Sequence, residues 1–70
     1  WLYFNQRRWM PLNCQNYASL DKALVTGGVF VDIADTNFPS AKCVRVFPKA
    51  DYLSHMGMRF RICRLLLPEA

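Results

Sequence analysis

The sequence has few of the residues on which metal sites and disulfide scaffolds depend. It contains one histidine and five acidic residues, and its three cysteines (Cys14, Cys43 and Cys63) never stand at C-x-x-C spacing. Zinc sites usually draw their ligands from close pairs, and disulfide scaffolds from an even number of cysteines. We therefore expect that the protein binds no metal. We also expect that its cysteines are buried and unpaired and that it resides in a reducing compartment.

The usual signatures of catalysis are also missing. Cys43 or Cys63 could pair with the single histidine, His55, but nothing in their spacing favours this. The pair Gly27-Gly28 precedes a strand pattern, whereas a phosphate loop opens a helix. The sequence predicts no catalytic residue, no cofactor and no small-molecule substrate, so we do not expect an enzyme.

Long hydrophobic segments are absent from the sequence. No apolar run approaches the roughly 18 residues of a transmembrane helix, and no basic amphipathic helix points to a membrane surface. We therefore expect no membrane partner. The chain opens on Trp-Leu-Tyr-Phe without an initiator methionine, from which we expect a longer parent protein.

Apolar and basic residues are abundant instead. The apolar fraction is 53%, with two Trp, three Tyr and five Phe in 70 residues, and the net charge is +4. A chain this short buries a modest share of its surface, so such a composition favours burial against a partner. From residue 41 onward six bases stand against two acids, so this part carries the whole positive excess. An anionic partner is therefore expected.

Hydrophobic periodicity predicts one helix and three strands. Residues 16–25 place Tyr17, Leu20 and Leu24 on one helical face, with Asn16 or Ser19 as the cap. Alternation predicts strands at 29–34, 41–47 and 57–67, with a loop or single turn at 49–56. In the third strand the alternation slips, which predicts a bulge or a strand end near Cys63.

These elements predict a mainly β fold. We expect a partial small antiparallel β-barrel of three strands, preceded by an extended arm and a short helix. The expected division is an N-terminal arm and short helix over residues 1–26 and a β-barrel portion over residues 27–70.

The basic side chains of this fold are candidate RNA contacts. Arginine on a strand can hold phosphate and stack on bases, and paired strands would gather such side chains into a patch. A solvated sheet face is the alternative, and the arm around the Arg7-Arg8 pair could instead pack on a protein. The predicted RNA-binding residues are Lys42, Arg45, Lys49, Arg59, Arg61, Arg64, Arg7 and Arg8.

Residues 31–46, VDIADTNFPSAKCVRV, resemble the first barrel hairpin of the large-subunit ribosomal protein family known in bacteria as L-fourteen. Residues 33–36 correspond to the end of the family's first strand, and residues 43–46 correspond to its second strand. Between them, Ala41-Lys42 corresponds to a small residue followed by a basic residue in the family pattern. Met56-Gly57 matches two of the three residues that lead into the family's next strand. The longer turn, the less basic loop before Gly57 and the first 25 residues depart from the family pattern.

The resemblance implies a structural protein of the large subunit of a mitochondrial (organellar) ribosome. Its expected partners are ribosomal RNA and neighbouring ribosomal proteins, and its implied RNA contacts are Lys42, Arg45 and the loop around Lys49. The family has a five-stranded barrel.

Two alternatives stay open. Residues 27–32, Ser40-Ala41 and residues 57–59 resemble the C-terminal end of formylglycine-generating enzymes and their lectin-like relatives, although Thr26, Val29 and Met58 depart from that pattern. The aromatic start of the chain also suits a non-RNA interaction subunit of a mitochondrial complex.

Overall fold

The computed structural model describes residues 1–65. The strands are β1 (Leu2–Phe4), β2 (Trp9–Pro11), β3 (Val31–Ile33), β4 (Val44–Phe47), β5 (Tyr52–His55) and β6 (Met58–Cys63). One α-helix, α1, covers Tyr17–Val25, and 3-10 turns cover Cys14–Asn16 and Pro48–Ala50. The mainly β class predicted from the sequence is confirmed.

All six strands join one antiparallel sheet in the order β2-β1-β6-β5-β4-β3. Within residues 1–65 the sheet is not closed, since β2 and β3 each pair on one side only. This arrangement fits a partial barrel, with six strands rather than the three predicted.

One face of the sheet, here called the inner face, carries the hydrophobic core. Val44, Val46 and Leu53 are at most 2% exposed and lie side by side on β4 and β5. Leu20 of α1 is fully buried in the same core, so the helix covers this face. The remaining buried core residues are Trp1, Tyr3, Leu12, Ile33, Phe38 and Ile62.

The helix α1 agrees with its prediction to within one residue at its start. It ends because Gly27 adopts a left-handed backbone with φ of 72°, which lets the Gly28 N–H donate to the Ala23 carbonyl at 2.8 Å. Of the two expected caps, Asn16 occupies the N-cap position but makes no side-chain capping bond, and Ser19 lies inside the helix. The side-chain amide nitrogen of Asn16 donates instead to the Ala34 carbonyl at 2.7 Å and ties the helix start to the segment after β3.

The N-terminal segment is extended, as expected of an arm, but it is also paired within the sheet. β1 pairs with β2 on one side and with β6 on the other. The turn between β1 and β2 is closed by the Asn5 side chain, whose oxygen accepts bonds from the Arg7 and Arg8 N–H groups, both at 3.0 Å. The pairing itself was not predicted.

The loop predicted at residues 49–56 is wrong in its second half, where β5 forms. A two-residue turn joins β5 to β6, with φ of 50° at Met56 and 78° at Gly57, as in the type I′ turns of tight hairpins. Of the bulge and the strand end that were the alternatives near Cys63, the structure shows the strand end, because β6 stops there. Residues 66 and 67 of the predicted third strand lie outside the described part of the chain.

The connection between β3 and β4 is held over the core by a buried carboxylate. Asp35 is 7% exposed and accepts bonds from the Asn13 N–H at 2.7 Å and from the Asn37 N–H and side-chain amide at 3.0 and 2.6 Å. These bonds satisfy a charge that would otherwise be costly to bury. They also fix the segment in which Phe38 enters the core.

Candidate nucleic-acid interface

The sheet face opposite the core, here called the outer face, carries a row of rings and one arginine. Strand alternation turns these side chains away from the inner residues on the same strands. Arg61 pairs with Tyr52, and Tyr52 pairs with Phe47. We call the complete set the outer row, and in order across the sheet it is Trp9, Phe4, Arg61, Tyr52, Phe47 and Phe30.

The N-terminal hairpin joins the outer row through the pairing of β1 with β6. Tyr3 lies opposite Ile62 and the two strands are antiparallel. The residue after Tyr3, Phe4, is therefore in line with the residue before Ile62, Arg61. Phe4 in turn pairs with Trp9, and their ring centres lie 5.3 Å apart. Trp9 is 40% exposed, so this end of the row is open to a partner.

At the other end the rings form a stacked group. Phe47 and Tyr52 lie with ring centres 4.5 Å apart and planes 22° from parallel. The ring centre of Phe30 lies 6.0 Å from that of Phe47, and Phe30 is 45% exposed. Aromatic faces held in a row across a sheet offer platforms on which successive bases can stack.

A second row, one step along the strands, places arginines beside these rings. It pairs Asp32 with Arg45, Arg45 with Ser54, and Ser54 with Arg59. The guanidinium carbon of Arg45 lies 3.9 Å from the centre of the Phe30 ring, and that of Arg59 lies 4.8 Å from the centre of the Tyr52 ring. Both arginines therefore lie over ring faces, in cation–π geometry.

Arg45 is also paired with the one acid on the second row. Its Nε donates to Asp32 at 3.0 Å, and both side chains are well exposed. The hydrogen bond from Arg45 lowers the pKa of the Asp32 carboxyl, and the same bond raises the pKa of Arg45. Among residues 1–65 neither Arg59 nor Arg61 forms an ion pair, so within this part of the chain both charges are available to an anion.

The other predicted contacts are distributed more widely. Lys49 follows β4 in the 3-10 turn, Lys42 precedes β4, and both are exposed. Arg7 and Arg8 are exposed in the turn between β1 and β2. The structure thus gathers Arg45, Arg59 and Arg61 on one face and leaves the other predicted residues around it.

Arg64 is engaged elsewhere. Its Nε donates to Asp21 of α1 at 2.8 Å, and the Trp1 indole N–H donates to the same carboxylate oxygen at 2.8 Å. The hydrogen bond from Arg64, followed by that from Trp1, lowers the pKa of Asp21. This ion pair links α1 to the segment that follows β6, so Arg64 has a structural partner.

The rings of the outer row were not predicted as site residues. The sequence carried part of their signal as alternation, because Phe47 occupies a position of β4 that faces away from the core and Phe30 directly precedes β3. Tyr52 was missed because β5 was predicted as a loop. Phe4 and Trp9 were missed because their place depends on β1 pairing with a strand that follows almost sixty residues later.

Residues 1–65 form no metal site, because no group of three or more His, Cys, Asp or Glu side chains in this part of the chain is close enough together to hold a metal ion. The expected burial of the cysteines is wrong for Cys14 and Cys43, which are exposed. The His55 ring packs on the Phe38 ring, with 4.7 Å between the ring centres. No helix in this part of the chain has the length and apolar character to cross a membrane.

Comparisons of this chain with protein-family models, with curated proteins and with solved structures found no match.

Proposed function

We propose that this chain binds single-stranded RNA across the outer face of its sheet. The observation that carries the proposal is the outer row, in which five rings and Arg61 follow one another across five strands and the residue that precedes β3. Single-stranded nucleic acid is bound by aromatic side chains that stack on bases and by basic side chains that hold the backbone. The outer face carries both kinds of group.

The arrangement favours an unpaired strand over a duplex. Bases inside a duplex are already stacked on each other, whereas the rings of the outer row offer faces only to bases that are splayed out. Arg45 and Arg59 already lie over rings, so a base can extend a stack that the protein has begun. Lys49 and Arg61 add charge for the phosphates at separate points along this face.

The RNA in this proposal is ribosomal, in the large subunit of an organellar ribosome. The support is the resemblance of residues 31–46 to a barrel hairpin of that ribosomal family, together with the antiparallel pairing of β3 and β4 that such a hairpin requires. In this proposal the chain is a structural component beside other ribosomal proteins.

The arginine contribution is tested by replacing Arg61 with Glu. We expect weaker binding of a fluorescently labelled single-stranded oligoribonucleotide, with a salt slope that is less steep by about one. Lys22→Glu on the exposed surface of α1 makes the same change in charge and is the matched control. Equal losses in the two variants would show that net charge acts rather than the outer face.

The stacking contribution is tested at Tyr52. Replacing this ring with leucine keeps apolar bulk but removes the stacking face, so affinity should fall by about 1–3 kcal/mol. Tyr52→Phe keeps the ring and should bind as the unchanged chain does. Fluorescence anisotropy at fixed salt measures both variants, and unchanged affinity in Tyr52→Leu contradicts the proposal.

The ribosomal assignment has a separate test. The protein should sediment with large-subunit particles at low salt, and nuclease treatment should release it. A protein that binds RNA in isolation but never sediments with these particles keeps the RNA proposal and removes the ribosome. An assembly that nuclease leaves intact would instead favour a non-RNA interaction subunit.

A further inference from the structure

A cavity of about 500 Å³ lies at the β4–β5 end of the outer row. One wall is made by the stacked rings of Phe47 and Tyr52, and another by the connection between α1 and β3. The residues that line the cavity include Gly28, Val29, Phe47, Lys49, Ala50 and Tyr52. The cavity therefore continues the stacking surface into a concave site.

We infer that this cavity holds the base of one nucleotide of a single-stranded RNA whose neighbouring bases stack on the outer row. The inference rests on the proposed function and adds to it a defined base-binding site. A volume of this size falls within the range of small-molecule pockets. The flat ring wall suits a planar base better than a branched aliphatic group.

The walls give the site an apolar interior. Val29 is 73% exposed on the side of the α1–β3 connection, so its side chain is open to an incoming base. Covering this side chain and the ring wall with one flat base would remove apolar surface from water on both sides.

Charge orients the nucleotide in the cavity. The glycine-rich wall directly follows the C-terminus of α1, so it lies near the partial negative charge of that helix end. A phosphate is therefore disfavoured at this wall. Lys49 is the cationic side chain of the lining, so the phosphate lies on the Lys49 side and the base points toward Gly28.

The test places a carboxylate in the cavity without altering any ring. Ala50 is exposed and lines the site, so Ala50→Glu should obstruct the base and repel the phosphate. Ala18→Glu makes the same charge change at an exposed position near the other end of α1 and is the matched control. Both variants are titrated with a seven-nucleotide oligoadenylate, and amide NMR spectra of the unchanged chain are recorded with the oligonucleotide and with adenosine monophosphate.

We expect Ala50→Glu to weaken oligonucleotide binding about tenfold, as for the loss of one stacked base, and Ala18→Glu to weaken it much less. The amides of Gly27, Gly28 and Val29 should shift with the oligonucleotide. Equal affinities in the two variants, or no shift at these amides, would overturn the base site while leaving RNA binding intact. Adenosine monophosphate binding as tightly as the oligonucleotide would also overturn it, since a free nucleotide would then be the ligand. No oligonucleotide binding by the unchanged chain would remove the proposed function itself.

Discussion

On β4 and β5 the two faces of the sheet are built from the same strands but differ in the kind of apolar residue that they carry. On β4 and β5 the inner face presents Val44, Val46 and Leu53, which are aliphatic and almost fully buried. The outer face of the same strands presents Phe47 and Tyr52, which are stacked and half-buried. Hydrophobicity alone therefore does not distinguish the core from the candidate interface.

What distinguishes the faces is the shape and partner of each apolar group. Branched aliphatic side chains interdigitate and fill a core at high density. Flat rings beneath guanidinium groups form short stacks, such as Arg59 over Tyr52, which a base can extend. The inner face therefore serves folding, and the outer face has side chains suited to recognition.

The largest expected effect is on the inner face. Leu53→Ala should lower the free energy of unfolding by about 2–5 kcal/mol, because it leaves a cavity beside two fully packed valines. Tyr52→Leu, one residue earlier and on the outer face, should cost clearly less stability. Urea denaturation of both variants measures the difference. Similar losses in both would break the distinction between the faces.

A smaller effect is expected from freeing Arg45 on the outer face. Asp32→Asn removes the acid that Arg45 now bonds, so RNA affinity should rise modestly and its salt slope should become steeper by about one. Asp21→Asn is the matched control. It removes the same charge from an acid that also binds an arginine, but that lies on α1 rather than on the outer face. Anisotropy titrations at several salt concentrations compare the two. An equal rise in both would show that net charge, not the outer face, sets affinity.

The smallest effect concerns the ion pair of Asp21 with Arg64. The pKa of Asp21 is lowered in the folded chain, so its contribution to stability is present above the ordinary value of 3.8 and is lost as the pH falls through the lower folded value. The stability difference between the unchanged chain and Asp21→Asn should therefore be constant near neutral pH and shrink in acid. Urea denaturation across this pH range measures it. A difference that grows in acid contradicts the assignment.

Much of the local structure was predictable from nearby residues. The helix pattern ends at the glycine pair, and the broken alternation at Cys63 marks the end of β6. β5 was not predictable in the same way because Met56 occupies a left-handed turn position where Asn, Asp or Gly is usual. The signal was present in Gly57 and in the alternation before it, but it was weak for so short a strand.

Local sequence patterns are sufficient to predict the mainly β class, the helix, and the alternation that places Val44 and Val46 on one face and Arg45 and Phe47 on the other. The position of Trp9 and Phe4 in the row containing Arg61, and the bond from Arg64 to Asp21, depend on the folded chain. The difference lies in the sequence distance over which each signal acts. Alternation and turn preferences act between near neighbours, whereas the pairing of β1 with β6 joins the two ends of the described chain and depends on a core that residues from nearly every element build together.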